Sequence, residues 1–257
     1  MSRVVLVTGA SGGIGRALCK RFVEAGDAVI ALDRNAEGVA SLAAGFDAGK
    51  LTALEADIGN QESVLKALAQ GVAARGAIDV VVANAGGALG TTLAHTDAAA
   101  WRRDIDLNLN GTYYTIEAVR EAMIERKRGA IVLIGSVNGL TSLGHPAYSA
   151  AKAGLVSYTK ALAMELGPHG IRANIVCPGT VKTPAWRARV AQHPQIFEEL
   201  SKWYPLGDVA EPEDIADAAY FLASPQARVI TGVALPVDAG LMAGNRLMAN
   251  ELTLDPY

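Results

Sequence analysis

Thr8-Gly9-Ala10-Ser11-Gly12-Gly13-Ile14-Gly15 follows directly on the apolar run at 4–7, and helical periodicity begins at once with Ile14, Ala17, Leu18 and Phe22. A strand, a glycine-rich turn and a helix therefore succeed one another at the amino terminus. Glycines at 9, 13 and 15 let the backbone turn tightly and approach a pyrophosphate, while the helix amino terminus offers N–H groups and the positive end of its dipole. Alone, the glycines would mark only a tight turn. Placed between strand and helix they predict a dinucleotide site at Gly9, Ser11, Gly13, Ile14 and Gly15.

Working outward, short β-branched runs alternate with longer helical segments, the signal of repeated βαβ units. Strands are predicted at 4–8, 28–33, 51–56, 79–83, 130–136, 172–178 and 233–237. Helices are predicted at 14–24, 36–46, 61–75, 97–126 with a break near Gly111, 147–166 and 212–222. The runs near 4, 80, 131 and 173 are apolar on consecutive positions, as parallel strands covered on both faces require. The expected fold is α/β: a Rossmann-type, doubly wound, seven-stranded parallel sheet with helices on both faces. No linker or repeat divides residues 1–257, so a single domain is expected. Residues 181–208, rich in Trp, Tyr, Arg and Pro, read as a substrate lid, and 241–257 as a tail that docks or frays.

Composition excludes several function classes. The chain is 51% hydrophobic and 19% charged, with 23 Lys plus Arg against 26 Asp plus Glu, and no basic tract to follow a phosphate backbone. No nucleic-acid partner is expected. Its apolar runs fall far short of the roughly 18 residues of a membrane span, and the start of the chain has no signal-peptide pattern. A cytoplasmic enzyme without a membrane partner is the expectation. Cys19 and Cys177 read as two free core thiols, and His95, His145, His169 and His193 show no ligand spacing, so no metal is expected.

Asp33 ends the second predicted strand, where a carboxylate can accept hydrogen bonds from an adenosine ribose and would repel a 2′-phosphate. It favours NAD over NADP; Arg34 beside it could soften that preference. Asp33 could instead cap the helix beginning near Ala36. Asp57 and Ile58 are placed to hold an adenine, and Asn84-Ala85-Gly86 lies at the carboxyl end of the fourth strand. Tyr148 and Lys152, four residues apart on a helix, share one face. Free tyrosine is ionised about one part in a thousand at pH 7, and a shift of roughly three units, about 4 kcal/mol, would make it a usable base. A neighbouring Lys cation acts in that direction. Ser136, at the end of the fifth strand, can hold a substrate oxygen beside the phenol. Asn108 sits mid-helix, where Asn is a poor former.

These residues together resemble the short-chain dehydrogenase/reductase family. The resemblance runs from the TGxxxGxG turn through Asn84-Ala85-Gly86, Asn108, Ser136 and Tyr148-Ser149-Ala150-Ala151-Lys152 to Pro178-Gly179 and Val237-Asp238-Ala239-Gly240. It implies Tyr148 as catalytic acid/base, Lys152 lowering the phenol and binding the nicotinamide ribose, Ser136 orienting the reacting hydroxyl and Asn108 holding a relay water. It also implies that Pro178, Gly179, Thr180, Val181 and Thr183 flank the nicotinamide, and that the chain is a homotetramer. Two departures stand out: the Ser136 to Tyr148 interval is one residue shorter than the commonest spacing, and Ala239 replaces a usual glycine.

The substrate is expected to be a small molecule met by the loop after Ser136, by the segment after Asn84 and by the lid. Asn138, His145, Trp186 and Arg189, with Arg187 and Trp203, suit a hydroxyl-rich ligand. The expected activity is NAD-dependent oxidation of a sugar, acidic or sulfonated sugar, or polyol. The alternatives are a 3-oxoacyl-thioester or hydroxysteroid reductase and a dinucleotide sensor without catalysis.

Overall fold

The computed structural model describes residues 2–47 and 49–254; residues 255–257 of the expected tail lie outside the described residues. Seven strands form: β1 Val4–Thr8, β2 Ala28–Asp33, β3 Leu51–Glu55, β4 Val80–Ala83, β5 Gly129–Ile134, β6 Ile171–Pro178 and β7 Ala234–Val237. They make one sheet in the order β3-β2-β1-β4-β5-β6-β7, every neighbouring pair parallel. The expected architecture is the observed one.

The helices are α1 Gly13–Glu24, α2 Ala36–Ala43, α3 Gln61–Arg75, α4 Ala98–Ile105, α5 Gly111–Arg126, α6 Pro146–Leu166, α7 Arg187–Gln192, α8 Ile196–Ser201, α9 Pro212–Ala223 and α10 Arg246–Thr253. Because side chains alternate along a strand, β1 sends Val4 and Leu6 to one face and Val5 and Val7 to the other. The first face is covered by α3, α5 and α6 through residues such as Leu68, Ile116 and Leu155. The second is covered by α1, α2 and α9 through Phe22, Leu42 and Ile215. Two cores thus clamp the strands, and Cys19 and Cys177 are free thiols buried in them.

The expected long helix 97–126 is interrupted. Asp106–Asn110 forms a π-helical turn between α4 and α5, just before the break expected near Gly111. The cause is local hydrogen bonding. Asn108 Nδ2 donates to the Asp104 carbonyl at 2.8 Å, and the Thr112 and Thr115 hydroxyls donate to the Asn108 and Gly111 carbonyls at 3.0 and 2.8 Å. Such back-bonding loosens a helix, and widened turns of this kind recur at functional sites.

Ala239 has φ +50°, a left-handed conformation that costs an L-residue about 1–2 kcal/mol. Glycine loses that strain but gains freedom in the unfolded chain. Ala239→Gly is therefore expected to raise the thermal midpoint by about 1–3 °C, and an unchanged or lower midpoint would show that the strain is compensated.

Candidate active site

Between β1 and β4 the strand order reverses direction, and in parallel sheets this switch point opens a crevice beyond the carboxyl ends of the strands. Here the crevice is a cleft of about 1590 Å³. The glycine turn forms its floor. A Cβ at Gly15 would fall 2.0 Å from the Gly9 carbonyl oxygen, and one at Gly9, whose φ is +64°, would fall 2.7 Å from Ala85 Cα. The N-cap of α1 is Gly12, which gives its first turn no side-chain cap, and that turn carries no acidic residue. Its N–H groups are left for an anion, so the turn fits a dinucleotide pyrophosphate.

Asp33 Oδ2 accepts from Ser11 N–H at 2.9 Å and Oδ1 from Asn35 N–H at 2.9 Å. The helix cap is Asn35, which accepts from Gly38 N–H at 2.9 Å, so Asp33 is not the cap of α2. It borders the cleft beside exposed Arg34, with Asp57 and buried Ile58. Asn84 joins β4 to the turn: Nδ2 donates to the Thr8 and Gly9 carbonyls at 2.9 and 3.2 Å. Ala85 and Gly86 border the cleft beyond it.

At the other end Ser136, Tyr148 and Lys152 meet in the same cleft. Ser136 Oγ accepts from Asn138 N–H at 3.1 Å. Lys152 is 3% exposed, its Nζ 5.5 Å from the Tyr148 ring centroid and donating to the Ile134 carbonyl at 2.8 Å. Burial pushes the Lys152 amine down to about 8. Burial also pushes the Tyr148 phenol above its ordinary value; the Ser136 hydroxyl opposes this, and Cys177 and Asp104 reinforce it. For both groups burial is the largest influence, and on the phenol it acts against the lowering expected from Lys152.

Asn108 does not border the cleft. It is fully buried, accepting from Gly87 N–H at 3.0 Å and donating to the Gly87 carbonyl at 2.8 Å. Its amide thus holds the loop after β4. Asp104, one helical turn earlier and absent from the sequence reading, holds the same loop by accepting from Leu89 N–H at 3.1 Å. An aspartate four residues before Asn108 on the same predicted helix was the available signal.

Of the expected substrate residues, Asn138, His145, Trp186 and Arg189 border the cleft, as does Trp203, whereas Arg187 does not. Asn138 Nδ2 is engaged with the Gly144 carbonyl and Ser149 Oγ at 3.1 and 3.0 Å, bracing the shortened Ser136 to Tyr148 loop. His145 Nδ1 lies 3.0 Å from the Gly90 carbonyl, an acceptor, so a neutral ring protonates Nδ1 and keeps Nε2 as an acceptor. Its ring centroid is 6.4 Å from that of Tyr148.

Pro178 and Gly179 lead from β6 into the segment expected to be the lid, near which the Tyr204 hydroxyl donates to Thr180 Oγ1 at 2.8 Å and accepts from Thr180 N–H at 3.1 Å. Val181 pairs with Ala210, and Val181 and Thr183 border the cleft. The segment expected to be the lid, 181–208, contains α7 and α8. From the tail, Asn245, Arg246 and Leu247 border the cleft of their own chain.

Among the described residues no helix is long and apolar enough to cross a membrane, and no group of three His, Cys, Asp or Glu is placed to hold a metal. A family model described as enoyl-(acyl carrier protein) reductase matches residues 9–242. A crystal structure of an oxidoreductase of the short-chain dehydrogenase/reductase family from Burkholderia thailandensis is 54% identical, covers 100% of this chain and 99% of its own, and has a TM-score of 0.95. A hydroxy(phenyl)methylsuccinyl-CoA dehydrogenase subunit of Thauera aromatica is 40% identical over 95% of this chain and 98% of its own. The galactitol 2-dehydrogenase (L-tagatose-forming) of Cereibacter sphaeroides is 35% identical over 91% of this chain and 92% of its own. With a parallel sheet, a glycine turn and a Ser136, Tyr148, Lys152 cluster on one cleft, the chain belongs to the short-chain dehydrogenase/reductase family of nicotinamide-dependent oxidoreductases.

Proposed function

We propose that the protein is an NAD-dependent dehydrogenase that oxidises a secondary alcohol or hemiacetal carbon of a sugar, a sugar acid or a polyol. The observation that carries the reading is the meeting of Ser136, Tyr148 and Lys152 in the cleft that Asp33 borders at its far end. When bound, the nicotinamide exchanges a hydride with the substrate carbon. The chain's own residues do the rest. Ser136 Oγ holds the reacting oxygen, and the Tyr148 phenol oxygen takes its proton on oxidation or returns it on reduction. Lys152 holds the nicotinamide ribose, with Pro178, Gly179, Val181 and Thr183 around the ring. Asn108 positions the loop at Gly86 and Gly87.

Support for a polyhydroxylated substrate comes from the lid half of the cleft, where Trp186 and Trp203 offer flat faces and Thr141, His145 and Asn245 offer hydrogen-bonding groups. The galactitol dehydrogenase relative agrees with it. The test is NAD reduction over aldoses, sugar acids, polyols and hydroxysteroids; activity confined to a hydrophobic alcohol would overturn it. The Thauera relative's name supports a second reading, a thioester substrate, which NADPH-dependent reduction of a 3-oxoacyl thioester would favour.

Asp33 sets the cofactor preference in this reading. Asp33→Asn keeps an acceptor for Ser11 N–H and removes the charge facing a 2′-phosphate, so the NAD over NADP ratio of kcat/KM should fall by about tenfold or more. An unchanged ratio would place the discrimination elsewhere. We read the chain as a cytoplasmic homotetramer; half-exposed Tyr113 on α5 and Met164, 73% exposed on α6, support the assembly. Sedimentation as a monomer would remove that part of the reading.

A further inference from the structure

Charge is distributed unevenly along the cleft. Asp33 and Asp57 accompany Arg34 at the adenosine end, but the half bordered by lid and tail carries Arg189, Lys202 and Arg246 and no Asp or Glu. The whole chain is acidic, with 23 Lys plus Arg against 26 Asp plus Glu. Average composition therefore does not produce a lining of one sign. The lid and its base do have acidic side chains, Glu198, Glu199, Asp208 and Glu211, but none of them borders the cleft. Asp208 and Glu211 each lie 2.9 Å from Lys182 Nζ, and Glu199 lies 2.9 Å from His193 Nε2. None of Arg189, Lys202 and Arg246 has a carboxylate partner among the described residues.

Two of the cations are laid on aromatic rings. The Arg189 guanidinium is 4.8 Å from the Trp186 ring centroid and Lys202 Nζ is 5.4 Å from that of Trp203; cation–π contact of this kind limits where the head groups go. Trp186 is itself braced by Phe197, with centroids 5.3 Å apart. Exposed cations are ordinarily just solvated. Here α7, the turn after α8 and the first residue of α10 bring three of them to the lining of the cleft that Ser136, Tyr148 and Lys152 also border. A guanidinium fork matches a carboxylate or phosphate with paired hydrogen bonds.

We infer that the substrate carries an anionic group, a carboxylate, sulfonate or phosphate, held by Arg189, Lys202 and Arg246 while its alcohol carbon faces Tyr148. This rests on the dehydrogenase reading above and narrows it to acidic or phosphorylated sugars. It also gives the tail a task, because Arg246 belongs to it.

The test titrates the NAD-loaded protein with D-glucose, D-glucuronate and D-glucose 6-phosphate by calorimetry, and assays these compounds and acetoacetyl-CoA for turnover. Wild type is compared with the triple variant Arg189→Gln, Lys202→Gln, Arg246→Gln and with the charge-retaining Arg189→Lys, Arg246→Lys. Wild type should bind an anionic sugar about tenfold or more tightly than glucose, less so as salt is raised. The triple variant should lose that preference and the charge-retaining variant should keep part of it. Equal affinities in wild type, weak ones included, overturn the inference, as does a preference that survives in the triple variant. Charge-dependent turnover of acetoacetyl-CoA with none of any sugar would keep the anion site and overturn the sugar reading.

Discussion

Tyr148→Phe is expected to lower kcat by about 10²- to 10⁴-fold, the range supplied by a positioned acid/base group, while NAD still binds. The substitution leaves the ring and removes the oxygen that, in the proposed reaction, exchanges a proton with substrate. A dinucleotide sensor without catalysis would be indifferent to the change, so paired measurements of turnover and NAD binding separate the two functions; turnover within about tenfold of wild type would remove Tyr148 from the reaction. The direction of the pH dependence follows from the site. Burial holds the phenol protonated above its ordinary value, with the Ser136 hydroxyl opposing and Cys177 and Asp104 reinforcing. At neutral pH it is therefore poised to donate. The kcat/KM for carbonyl reduction should be flat through neutrality, whereas that for alcohol oxidation should climb with pH as the phenolate becomes available. An oxidation profile flat between about pH 6 and 9 would place the titrating base elsewhere.

The sheet was legible because parallel strands buried on both faces read as unbroken apolar runs, and β1 and β4 are buried at every residue. The glycine turn was legible for a related reason: a Cβ at Gly15 has no room, so the backbone's demand is written as a missing side chain. Spacing likewise put Tyr148 and Lys152 on one face of α6. It did not disclose their electrostatics, because a one-turn separation carries no information on how far each group has left water. Nor did it distinguish a residue in the cleft from one behind it. Asn108 was singled out for its poor helix propensity, yet the structure uses its amide to hold Gly87. Lid and tail were recognisable only as departures in composition, because α7, α8 and α10 are short and their placement depends on contacts far apart in the chain, such as Tyr204 with Thr180.

Lys152→Met should abolish most turnover and yet stabilise the protein, by about 1–3 kcal/mol at neutral pH. Lys152 is 3% exposed and has no carboxylate partner among the described residues, and burial lowers its amine from 10.5 to about 8. A displacement of that size corresponds to roughly 3 kcal/mol, offset in part by the lost hydrogen bond to the Ile134 carbonyl, about 1 kcal/mol. The sign follows from proton binding. Between pH 8 and 10.5 the unfolded chain holds a proton on Lys152 that the folded chain has released, so this residue makes stability rise with pH across that window. Below it the whole penalty is present, and above it none. Denaturant unfolding of wild type and variant should therefore differ most at pH 7 and converge toward pH 10.5, a comparison in which the other titrating groups cancel. A variant less stable than wild type at pH 7, or a gap that does not narrow, would show that the ammonium stabilises the fold. The expected result identifies Lys152 as a group retained against the stability of the fold, and what it then serves is the site: its charge lies on the wall where Tyr148 and Ser136 meet.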